Sequence, residues 1–140
     1  MIIPPLPPKN TNSMVSKTSK EGEFCSYLMS AAVQIHIYHL RAKGSGAFAA
    51  HMALGGLYDA LPDMADSIAE SIQGRMGLLT YDLEASYDSN YGNALSYVKK
   101  CLEYVKTTRT KMCQDTYIQN QIDSVEQELY STIYKLENLQ

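Results

Sequence analysis

Apolar residues recur at steps of three and four along most of the chain, the spacing of a helix with one buried stripe. Phe24, Leu28, Ala31, Ile35 and Tyr38 form the first such series, ending at "AKGSG", where glycines suit a helix stop and a tight turn. Leu54, Leu57, Leu61, Ala65, Ile68 and Ile72 mark a second helix from near Ala47 to about Gly77. A third shows Leu95, Val98, Leu102 and Val105 behind the capping residues Asn90 and Asn93. The last carries a seam of Ile118, Ile122, Val125, Leu129, Ile133 and Leu136. No alternating strand pattern and no internal repeat interrupts the series.

Between the second and third helices lies "LLTYDLEASYDSNYGN", too long for a tight antiparallel connection. The pattern therefore predicts an all-α chain: a ferritin-like four-helix bundle with one long crossover between the second and third helices. Residues 1–17 read as a proline-rich extended arm and residues 18–140 as the bundle, with Thr18 or Ser19 available to cap its first helix. Within the arm, Pro4, Pro7 and Lys9 have PxxPxK spacing, although an extended tether is the plainer reading.

Composition narrows the setting. The 140 residues are 45% hydrophobic and 19% charged, with net charge −3, so one ordinary core accounts for them. Cys25, Cys101 and Cys113 form no CxxC or Cys/His cluster and read as small core residues in a reducing compartment. With neither a membrane-spanning run nor a signal-peptide pattern, the expected location is the cytoplasm. No phosphate-cradling glycine loop, GxSxG or nucleophile pair is present.

One helix departs from this ordinary picture. Asp59, Asp63, Asp66 and Glu70 line the second helix, while residues 52–74 contain no lysine or arginine at all. His51, Gly55, Asp59, Asp66 and Glu70 fall on one side of it, about a third of a turn from the leucine stripe. His39 and His51 each lie six residues from Ser45, so a hairpin turning there brings the two imidazoles level. His36 reads as structural. Because His51 and Asp66 are separated by roughly 22 Å of helix at 1.5 Å per residue, one chain cannot join them. Two chains can, if their second helices pack antiparallel about a two-fold axis near residues 58–61. Asp66 and Glu70, at i and i+4, would then offer two oxygens on one side to a hard or borderline metal.

His39, Gly44, His51, Asp66 and Glu70, with "DSIAESI" around the acids, resemble the ferroxidase signature of the Dps mini-ferritins. The resemblance covers roughly residues 24–138, is specific over 39–75, and takes some support from the closing "YKLENL". It implies a metal site of His39, His51, Asp66 and Glu70 shared between subunits, a homo-oligomer built from two-fold dimers into a hollow dodecamer, and iron that is bound, oxidised and stored. Zinc or another divalent metal is the alternative occupant. Three departures mark a divergent member. Gly55 stands where the family has an aspartate, which would weaken a ferroxidase. Pro62 removes a hydrogen bond to Tyr58 within the second helix and should bend it. Leu40 replaces a tryptophan, leaving Tyr38 or Tyr58 for any redox-buffering role. The alternative function is a non-catalytic assembly subunit of the same fold, with a degenerate metal site and the arm as tether. DNA binding should be weak or absent, since Lys9, Lys17 and Lys20 are the tail's cations in a chain of pI near 5.5.

Overall fold

Serine 19 begins the ordered bundle by accepting a hydrogen bond from the Gly22 amide at 3.0 Å. That cap satisfies one of the unpaired donors of a helix start, and Glu21 and Glu23 add favourable charge in the first turn. The computed structural model describes residues 2, 19–81 and 92–139. Helix α1 spans Lys20–Leu40, α2 Ala47–Met76, α3 Ala94–Thr108 and α4 Thr116–Asn138, with a 3-10 turn at Arg109–Lys111. Among the described residues there is no strand. The arm other than Ile2, and the predicted cap Asn90, fall outside the described residues, whereas Asn93 caps α3 through its side-chain oxygen and the Ser96 amide at 3.1 Å.

The predicted stripes are the core. Phe24, Leu28 and Ile35 of α1 pack with Leu54, Leu57, Leu61, Ile68 and Ile72 of α2, Val98 and Val105 of α3, and Ile118, Ile122, Val125 and Leu129 of α4, all essentially inaccessible to water. Each such side chain contributes about 1.5–3 kcal/mol by burial. Ile133 and Leu95, placed in the same stripes, are only half-buried. Helix α2 continues as one element through Pro62.

Helix neighbours and directions follow from side-chain pairs. Tyr27 and Phe24 stack on Tyr104, while Tyr38 meets Tyr97, so α1 and α3 run antiparallel. Arg75 pairs with Asp115 at 3.0 Å and Ser71 accepts from Gln121 at 3.0 Å, so α2 and α4 do likewise. Arg109 fixes the α3–α4 turn through Asp123 at 2.7 Å and Glu126 at 3.0 Å. The α2–α3 connection, where the sequence predicts a crossover, falls mainly on residues 82–91, outside the described ones. Its first part is a strap. Residues 77–81 turn back from α2 and are pinned by Gln73, whose side-chain oxygen accepts from the Leu79 amide at 3.2 Å and the Tyr81 hydroxyl at 2.8 Å.

Candidate functional site

The α1–α2 hairpin is made by two glycines. Gly44 and Gly46 have φ of 91° and 76°, in the left-handed region that side chains disfavour, and Gly46 then serves as the N-cap of α2. This turn brings His39 and His51 face to face, their rings 3.6 Å apart and inclined by 21°. Their bonding is reciprocal: Nδ1 of His39 lies 2.6 Å from the carbonyl of His51, and Nδ1 of His51 lies 2.9 Å from the carbonyl of His39. A carbonyl can only accept, so both Nδ1 atoms carry the proton. In the neutral rings both Nε2 atoms are then bases with a free lone pair. Pinning of one ring nitrogen on a carbonyl is the usual way a metal-binding imidazole is oriented.

Gly55 supplies the floor. A Cβ at this position would lie 3.1 Å from Cε1 and 3.2 Å from Nδ1 of His39, so the imidazole rests where a side chain would otherwise stand. On the other side, Tyr58 meets His39 edge-on at 5.1 Å and stacks on His36 at 4.0 Å and 8°. His36, Tyr58, His39 and His51 make a continuous row of four rings across the two helices, with His36 exposed. Tyr38, by contrast, is buried on the opposite side of α1 against Tyr97. The sequence pointed equally to Tyr38 and Tyr58; only Tyr58 touches the histidines.

The stack limits the chemistry. A metal binds in the plane of an imidazole at about 2.0–2.1 Å from nitrogen. Two rings 3.6 Å apart and nearly parallel have no common point at that range, so as placed they cannot share one ion. Each Nε2 addresses its own partner.

The carboxylates stand elsewhere, as the helix rise requires. Asp59, Asp63, Asp66 and Glu70 are all exposed along α2, and no group of three His, Cys, Asp or Glu among the described residues comes together to hold a metal. Asp66 borders a cavity of about 780 Å³ between the outer sides of α1 and α2, with Met29, Val33, Pro62, Asp63 and Tyr81. A smaller one of about 260 Å³ adjoins His36 and Tyr58. Periodicity missed this groove. Its signal was the second apolar row of α1, where Met29 and Val33, 43% and 50% exposed, line both cavities.

Cysteine chemistry has little place here. All three thiols are free, burial and then Glu21 push Cys25 up to about 12, and burial raises Cys101. No described helix is long and apolar enough to cross a membrane.

Residues 39–136 match a family described as a family of unknown function, DUF5856. The match takes in the histidine pair, the acid row and the last two helices, most of the chain, which therefore belongs to that family. No match is found among curated proteins or among solved structures.

Proposed function

For this member of the DUF5856 family, we propose a divergent Dps-type, ferritin-like protein that binds a divalent metal, iron by preference, at a site shared by two copies of the chain. The observation that carries it is the histidine pair with both Nδ1 atoms pinned on carbonyls, which presents two oriented Nε2 donors at the end of a hairpin. His51 of one chain would meet Asp66 and Glu70 of the other, with His39 beside it. Imidazole nitrogens and carboxylate oxygens suit Fe²⁺ and Zn²⁺ alike. The antiparallel pairing of α1 with α3 and of α2 with α4 supports the ferritin-like connection, because α2 and α3 then point the same way.

Charge supports the pairing. From residue 24 to residue 58 the chain has no acid, only Arg41, Lys43 and the histidines; from 52 to 74 it has acids and no Lys or Arg. Antiparallel contact about residues 58–61 sets each basic end against an acidic one. Phe48 and Met52, 78% and 59% exposed, give the same surface apolar area to bury.

Gly55 favours a second reading, a non-catalytic assembly subunit of the same fold. With the His39 ring packed close against Gly55, where the mini-ferritins carry an aspartate, oxidation would be weakened even if binding persists.

Subunit mixing tests the shared site. His51→Ala and Glu70→Ala proteins should each lose metal as homodimers. In the mixed dimer one site receives both lesions and the other none, so about half of its sites should bind again on titration. Exchange is shown independently by mass and folding by circular dichroism. Proven exchange without recovered binding overturns the shared site. Recovered binding of Fe²⁺ without peroxide-driven oxidation selects the assembly-subunit reading.

A further inference from the structure

The groove outside α1 and α2 is unused by the histidine pair. It begins beside Tyr81 and Asp66, passes Met29, Val33 and Pro62, and continues to His36 and Tyr58. Measured on α1 from Ser26 to His36 it is roughly 15 Å long at 1.5 Å per residue. Its walls are mostly apolar, a tyrosine stands at each end, and Asp63 and Asp66 line its edge. Helix walls offer few free backbone partners, because their amides and carbonyls bond within the helix. The surface therefore suits an extended, apolar segment with few amide donors and one cation.

We propose that this occupant is the chain's own segment Pro4–Lys9, "PPLPPK". Four of its six residues are prolines, which have no amide hydrogen to leave unpaired. In a polyproline helix, with three residues per turn, Pro4 and Pro7 share one side, and six residues span roughly 16–19 Å at 3.1 Å each, close to the groove's length. Aromatic-lined grooves take up proline-rich segments of this spacing because the polyproline helix is already formed before it binds, and the carboxylates at this groove's edge would favour a cation on the segment. Here the cation is Lys9.

Direction and reach agree. Antiparallel helices place Asp66 toward the Ser26 end of the groove, nearest the start of α1, so the proposed docking would bring Lys9 to that end and Pro4 to the other. Residues 10–18 connect Lys9 to Ser19 and can span up to roughly 30 Å at 3.3 Å each, against about 10 Å of helix from Ser19 to Ser26. One chain closes the contact on itself with slack. A regulatory consequence rests on the shared-site reading: Lys9 and the partner's imidazole both need Asp66, so the docked arm competes with pairing.

Zero-length carbodiimide coupling of the full chain, metal-free and as an equal mixture of isotopically light and heavy protein, tests the docking. Lys9 should couple to Asp66 or Asp63 within single chains. The Lys20–Glu23 ion pair, 3.3 Å apart on α1, is the internal reference. A Pro4→Ser/Pro7→Ser protein should lose at least about threefold of the Lys9 link at unchanged Lys20–Glu23 yield, because specific packing of the prolines is what holds the arm. An equal yield in that variant means mere tethering and overturns the proposal. So do mixed-isotope Lys9 links, the absence of any Lys9 link, or mixed-isotope links from Lys43 to Asp63 or Asp66 with Lys9 free, which would put a second copy on the groove. Since no metal is present, failure of the shared metal site would leave the Lys9 link in place, and loss of the link would leave the subunit-mixing result unaffected.

Discussion

At the scale of single residues, the pairing of His39 with His51 was legible because both stand six residues from the centre of a glycine turn. The reciprocal carbonyl bonds were not, since they depend on how closely the helices approach. Gly55 shows the difference best. Its sequence meaning was a missing carboxylate, but its structural meaning is a seat for an imidazole, which no pattern along one helix can reveal. Gly55→Ala should gain up to about 1 kcal/mol of helix propensity and lose about 1–3 kcal/mol by overpacking. The loss should win by about 1 kcal/mol, because the His39 ring is stacked on His51 and bonded at 2.6 Å and cannot retreat freely. Gly56→Ala, with open space at its Cβ, is the matched control and should be neutral or stabilising. Urea unfolding gives the balance, and ring-to-ring proton contacts in NMR report whether the stack survives. A Gly55→Ala protein more stable than wild type with its stack intact would show that the seat is unnecessary.

At the scale of elements, the four helices and most of their ends were legible, since caps and stripes are local. Ser19 and Asn93 cap as the sequence suggests, and α2 ends one residue before Gly77. The course of the strap was hidden, because it is fixed by Gln73, a residue within the helix the strap has just left. Its contact with α1 is equally non-local. A Cβ on Gly22 would overlap the main-chain carbonyl of Thr80, which cannot swing aside as a side chain can. Gly22→Ala should therefore cost about 2 kcal/mol despite alanine's better helix propensity, as overpacking against backbone. Hydrogen exchange should locate the damage, with the Leu79 amide losing protection while the centre of α4 keeps its own. Unchanged stability and unchanged protection at Leu79 would mean that the strap is not seated on Gly22.

At the scale of the whole molecule, α1 works in two directions, and only one was legible. Its outward row was overlooked because exposed apolar residues carry no periodic demand of their own. Its inward row was read as core, and so it is, but it also buries groups that ionise at high pH. Cys25 is pushed up to about 12 by burial and by Glu21, and Tyr104 to about 12, chiefly by burial. Burial likewise raises Tyr27 and Cys101, whose hydroxyl and sulfur lie 3.5 Å apart between α1 and α3. These groups are neutral when protonated, and the folded state holds their protons more tightly than the unfolded chain does. Their contribution is fully present below pH 9, where the unfolded thiols are still protonated, and is lost as pH rises toward 12. Cys25 alone should remove on the order of 1 kcal/mol of stability by pH 10, because that pH is about one unit above the ordinary pKa at which the unfolded thiol ionises, while the buried thiol keeps its proton. Urea midpoints should therefore fall steadily from pH 9 to pH 11, with no metal or partner needed. Cys25→Ala should be less stable at neutral pH, by the cavity it leaves, yet show a shallower fall over that interval. A wild-type midpoint that stays level from pH 9 to pH 11 would mean that the inner side of α1 admits hydroxide or water to these groups in the folded state, and the tight α1–α3 packing described above would have to be abandoned.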